Sequence, residues 1–192
     1  MVLVRNNRRI SILLLIVVGF IFIVSFALTY PAIAAALLWI NPVSVDIEPG
    51  GSAHVVLQLS DSTNVYGALI SLDFDPSLIA VVDSDPGTSG VQISAGTCPK
   101  PDFIVTNIAD NLAGTIDYTV SQLMPSPPCD GGVVASVEFQ CITPDTSIDV
   151  SFIESIISDP DGVLIVHSTQ DGTVNCLEEP SYKIYLPLTL KD

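Results

Sequence analysis

Through the middle of this chain, apolar residues recur at every second position, and no stretch there sustains the three-and-four spacing of a helix. Ser52 to Ser60 sets Ala53, Val55, Leu57 and Leu59 on one face, and Gly67 to Phe74 turns Ala68, Ile70, Leu72 and Phe74 inward while Gly67, Leu69, Ser71 and Asp73 look outward. Such alternation marks strands of a half-buried sheet. Downstream, Gly114 opens a run carrying Ile116, Tyr118 and Val120, Gly131-Gly132 opens one carrying Val133, Ala135, Val137 and Phe139, and Ile148, Val150 and Phe152 share a third face. Val163 to Val166 and Thr173 to Cys176 flank Asp171-Gly172, two residues that tolerate positive φ and so predict a tight hairpin. Many short strands parted by Gly, Pro, Asn and Asp predict an all-β, antiparallel sandwich of two sheets. Residues 42–176 are long enough for one such domain and too short for two.

The amino-terminal segment breaks this pattern. Arg5, Arg8 and Arg9 precede an uncharged apolar run from Ile10 to Leu28, which reads as one N-terminal apolar helix, and Pro31 then precedes the small-x-small triplet Ala32-Ile33-Ala34. Residues 1–34 are therefore expected to be a signal peptide or an N-terminal membrane anchor. The triplet suits cleavage, whereas the run approaches the ~20 residues of a spanning helix. In either case the basic flank stays inside and the remainder lies outside, so an extracellular or cell-surface location is expected, with membrane contact only through an uncleaved leader.

Charge narrows the choice of partner. All 21 Asp and Glu follow position 34, where only Lys100, Lys183 and Lys191 remain of the Lys and Arg, so three cations against 21 acids leave the exterior part at −18. A surface of that sign repels phosphate backbones and anionic lipid heads. Nucleic acid is excluded, and a neutral, cationic or protein partner is favoured. The same acids also serve to keep an exported domain soluble.

Cys98, Cys129, Cys141 and Cys176 form an even set without a C-x-x-C spacing, and His54 and His167 stand apart from them. In an oxidising compartment this reads as two disulfides rather than a zinc site. Of the three possible pairings, the strand layout favours Cys98 with Cys129, because they bracket the outer ends of a hairpin formed by Phe103 to Asn107 and Thr115 to Gln122. Cys141 with Cys176 then ties the ends of two later strands. Closing loops of this size contributes on the order of 3 kcal/mol each in the chain-entropy view.

No cofactor or resident metal is expected. The pairs Asp73/Asp75, Asp83/Asp85 and Asp159/Asp161 offer hard oxygens for calcium, but none runs into a twelve-residue loop, and turn capping by Asp explains them better. The chain has no G-x-S-x-G, H-E-x-x-H or phosphate-binding glycine loop, so it is not read as an enzyme and no catalytic residue is assigned.

Three stretches in order carry a family resemblance. Asn64 to Pro76 (NVYGALISLDFDP), followed by Leu78 and Val81-Val82, resembles the cohesin strand that ends in an aromatic-Asp-Pro turn; Asp130 to Phe139 (DGGVVASVEF) is similar to that family's glycine-opened strand; Ser158-Asp159-Pro160-Asp161-Gly162 with Asp171-Gly172-Thr173-Val174 resembles its closing region. The resemblance covers about residues 42–176. It implies a jelly-roll sandwich of about nine strands, a monomer that is non-catalytic and binds a dockerin-like protein module in polysaccharide-related surface assemblies. Where cohesins present polar residues to the dockerin, this chain has Gly67 and Leu69. The implied contact face is Gly67, Leu69, Ser71 and Asp73, with Asp117 and Thr119 on the neighbouring strand.

Two other readings stay open. Direct polysaccharide binding calls for exposed aromatic rings in a row, yet the only Trp, Trp39, lies beside the leader, and Tyr66 and Tyr118 read as structural. A purely structural surface domain is the other. Residues 177–192 are read as a linker and a Tyr-Leu-Pro-Leu tail, Tyr182 to Asp192, which resembles the carboxy-terminal tails of exported bacterial proteins and serves either as an edge strand on its own domain or in export and surface retention.

Overall fold

A computed structural model of the protein describes residues 35–179. The leader, with its expected helix, and the tail from Pro180 onward lie outside the described residues. Twelve strands make up the rest, and no helix among the described residues is long and apolar enough to cross a membrane. In chain order they are β1 (Ala36–Asn41), β2 (Ser44–Ile47), β3 (Ser52–Ser60), β4 (Gly67–Asp73), β5 (Ile79–Val81), β6 (Ser94–Ala95), β7 (Phe103–Asp110), β8 (Thr115–Ser121), β9 (Gly132–Cys141), β10 (Thr146–Ser158), β11 (His167–Gln170) and β12 (Gly172–Cys176). One sheet runs β11-β1-β3-β9-β5, with β6 also on β9, and the other runs β2-β12-β10-β4-β8-β7.

The inward residues read from the alternation form the core. Leu57, Leu59, Ile70, Leu72, Ile116, Tyr118, Val137 and Phe139 are all essentially inaccessible to water. Phe74 and Phe139 meet edge to face across the sandwich, with ring centroids 5.7 Å apart. The aromatic-Asp-Pro turn is locked locally: Phe74 donates its N–H to the Gly114 carbonyl at 2.9 Å, and Asp75 accepts the Ser77 N–H at 2.9 Å. Gly114, at φ +74°, has no room for a Cβ, which would fall 2.2 Å from the Phe74 carbonyl oxygen.

Several expectations are corrected. The described residues contain twelve strands rather than about nine: β1 precedes the expected domain start, β6 is a two-residue strand, and the chain twice changes sheets within one extended path, from β1 to β2 at Pro42 and from β11 to β12 at Asp171. Asp171-Gly172 is therefore a crossover and not a hairpin turn: β11 pairs with β1, whereas β12 pairs with β10 and β2. The pairs β1/β11 and β2/β12 are parallel, so the sheets are mixed and not purely antiparallel. Val163 to Val166 is no strand, contributing only an isolated bridge between Leu164 and Ser158. The sandwich also begins ahead of Pro42, since β1 lies between β3 and β11 and buries Leu38 and Ile40. Its proximity to the apolar leader hides this strand in the sequence.

Bulges account for the remaining differences in facing. A register shift in the β3/β9 ladder puts Val134, not Val133, into the core beside Ala135. Another between Phe152 and Glu154 leaves Ile153 unpaired and reverses the phase of β10, so that even-numbered residues point inward before it and outward after it. One extra residue is enough, because side chains alternate with period two.

The disulfide framework matches the layout. Cys98 is bonded to Cys129 and Cys141 to Cys176, with Cα separations of 5.8 and 5.7 Å, and no free cysteine remains among the described residues. The first lies beyond the β7–β8 hairpin; the second ties the end of β9 in one sheet to the end of β12 in the other.

Candidate partner-binding site

The outer face of β10-β4-β8-β7 is built by register. Across these four strands the facing residues fall in rows: Ser158, Gly67, Ser121 and Phe103; then Ile156, Leu69, Thr119 and Thr106; then Glu154, Ser71, Asp117 and Ile108; then Ser151, Asp73, Thr115 and Asp110. All six residues singled out in the sequence, Gly67, Leu69, Ser71, Asp73, Asp117 and Thr119, thus lie on one continuous face of the two central strands.

The structure adds two outer strands that sequence alternation does not assign to this face. Ile156 (37% exposed) reaches it only because of the bulge at Ile153, and Phe103 (53% exposed) and Ile108 share it only because a second bulge, at Val105, shifts the phase of β7. An interrupted alternation in each strand is the only sequence signal for either bulge.

Chemically the face is an apolar and acidic mixture. Leu69 and Ile156 sit side by side, and Phe103 and Ile108 stand on the far strand. Asp73, Asp110, Asp117 and Glu154 supply negative charge, and Ser71 donates to Asp117 at 2.5 Å, orienting that carboxylate. Hydrogen bonds from the Ala113 and Leu112 N–H groups hold the Asp110 carboxyl below the usual carboxylate range. Lys100, the one Lys or Arg of residues 35–179, is engaged 2.7 Å from Asp102 rather than on this face. Over Gly67 the face dips into a shallow depression of about 220 Å³ lined by Leu69, Thr119, Ser121, Ile156 and Ser158. A Cβ at Gly67 would come within 2.8 Å of the Ser158 hydroxyl, so glycine keeps this floor low.

The other candidate chemistries resolve differently. Asp83 accepts the Asp85 N–H, and Asp159 accepts those of Asp161 and Val163, which is turn capping; Asp83 also accepts the Gln92 N–H and so braces the base of its loop. Among the described residues no group of three or more His, Cys, Asp and Glu is placed to hold a metal ion. Trp39 is half-buried on the outer face of the other sheet, between Gln58 and Gln170, without a second aromatic ring in register with it. Tyr118 is a core residue.

No sequence family matches the chain, and no curated protein matches it. Solved structures do match its fold. A type II cohesin domain from the cellulosome of Acetivibrio cellulolyticus is 18% identical, with a TM-score of 0.60 over 73% of this chain and 94% of that one. The third cohesin of ScaC from the same organism, crystallised with the ScaB dockerin, is 15% identical, with a TM-score of 0.60 over 74% and 99%. A non-cellulosomal cohesin from the archaeon Archaeoglobus fulgidus is 14% identical, with a TM-score of 0.58 over 76% and 93%. The described domain has the cohesin fold. The third ScaC cohesin and the cohesin CaCohA2 were each crystallised with a dockerin.

Proposed function

We propose that this chain is an exported, non-catalytic binding module that holds a dockerin-like protein on the outer face of β10-β4-β8-β7. The observation that carries this reading is the composition of that face: Leu69, Ile156, Phe103 and Ile108 displayed among four carboxylates, with no cation in the four rows. Exposed apolar residues of this size on a flat sheet are costly in water and gain when a partner covers them. The two disulfides and the basic-flanked leader fit a location outside the cytoplasm.

The test is a pull-down with the full chain against exported proteins of the same cell and against insoluble cellulose in parallel. Capture of a protein with paired calcium-loop repeats, weakened tenfold or more by Leu69→Asp at unchanged melting temperature, supports the reading. Retention on cellulose without any protein partner moves the assignment to direct polysaccharide binding. Capture of neither leaves a structural surface domain.

A further inference from the structure

The candidate face does not stop at the edge of its sheet. Past Ser158 the chain turns back on β10: Leu164 bridges to Ser158, and Ile165 donates its N–H to the Ile157 carbonyl at 2.8 Å. Between β10 and this returning segment lies an open cavity of about 210 Å³. Its walls are Ile156, Ile157, Leu164, Ile165 and Val166. Ile156 also lines the depression over Gly67, so the two hollows share a wall.

The two polar side chains of the cavity, Ser155 and His167, are engaged with each other. His167 Nδ1 lies 2.9 Å from the Ile165 carbonyl and donates to it, so in the neutral ring Nε2 accepts from the Ser155 hydroxyl, 2.8 Å from it. The walls are mainly aliphatic, so an apolar visitor gains by leaving water, whereas a polar one gives up its own hydration on entry. The rim is strongly exposed: Leu164 at 66% and Val166 at 83%. Glu154 lies two residues along β10 from Ile156, and Asp117 lies in its row.

We propose that the partner's footprint runs off the sheet onto residues 163–167, seats one aliphatic side chain in this cavity, and sets lysine or arginine beside Glu154 and Asp117. The proposal rests on the reading of the sheet face as the partner site. Continuity through Ile156 places the cavity inside one footprint, and the uncompensated carboxylates favour a basic flank over an acidic one.

A library of displayed helical peptides, selected on the full chain, tests this. The expected winners carry an aliphatic residue flanked by Lys or Arg, and their affinity falls tenfold or more with Leu164→Asp or Val166→Asp. Both residues are exposed, so the melting temperature should hold; if Leu164→Asp unfolds the protein, Val166→Asp still decides. Loss of binding with Leu69→Asp alone overturns the extension and leaves the sheet face standing. Loss with the two flank variants but not with Leu69→Asp overturns the sheet reading and the footprint built on it. Winners rich in Asp and Glu, or insensitive to all three substitutions, overturn the proposal outright.

Discussion

Gly172 is packed against Ile40 so closely that a Cβ on Gly172 would lie 2.6 Å from Ile40 Cγ2. The contact joins the two places where the chain passes between sheets, β1 to β2 and β11 to β12. Glycine is needed here for space, because Gly172 does not adopt positive φ. Gly172→Ala should destabilise the domain by about 1–3 kcal/mol, the usual cost of overpacking. Equilibrium urea unfolding measures it, and an unchanged midpoint would show that Ile40 yields freely.

Removing β1 should be far more damaging. Ala36, Leu38 and Ile40 are buried, and the strand hydrogen-bonds to β3 on one side and β11 on the other. A chain starting at residue 42 is expected to lose its cooperative thermal transition, while one starting at Ala35 keeps it. Calorimetry of the two separates these outcomes; matching transitions would make β1 dispensable.

The Tyr118 hydroxyl is buried with no hydrogen-bond partner among the described residues, and burial pushes its pKa up to about 12. Tyr118→Phe removes an unsatisfied group and should raise stability by about 1 kcal/mol. The wild type should lose stability as pH rises from about 10, where an unfolded tyrosine ionises, through about 12, where the folded one does. Denaturant melts of both proteins in that interval should show the loss only in the wild type at this site.

Asp102 receives Lys100 Nζ at 2.7 Å, the Ser126 hydroxyl at 2.5 Å and the Leu123 N–H at 3.2 Å. The lysine contact is the largest cause of its pKa falling to about 2, ahead of the two hydrogen bonds. Its contribution to the 122–126 loop is complete above the ordinary value of 3.8 and fades as pH drops toward about 2. Carboxyl NMR should place its midpoint there, and Lys100→Ala should move that midpoint upward. A midpoint near 4 in the wild type would contradict the clamp.

The disulfide between Cys141 and Cys176 joins strands of different sheets across a separation of 35 residues. Its replacement by two serines should cost on the order of 3 kcal/mol by restoring freedom to the unfolded chain. Guanidinium midpoints of the two oxidised proteins give the difference directly.

The outer face of β10-β4-β8-β7 illustrates how far a one-dimensional pattern reaches. Gly67, Leu69, Ser71 and Asp73 are legible as outward because β4 alternates without interruption, and Asp117 and Thr119 for the same reason in β8. Ile156, Phe103 and Ile108 are not, because Ile153 and Val105 are inserted into otherwise regular ladders. An insertion of this kind leaves the local composition unchanged and alters only which side the following residues occupy.

Strand content, most of the core and both disulfide pairings were legible in the sequence alone, because they follow from local alternation and cysteine spacing. The tertiary structure decided which strands became neighbours. Parallel pairing of β1 with β11 and of β2 with β12, the crossover at Asp171, and the two bulges that complete the outer face depend on contacts between residues far apart in the chain. Those contacts are set by packing two sheets against one core, where Gly172 must admit Ile40 and where one extra residue turns Ile156 out to solvent.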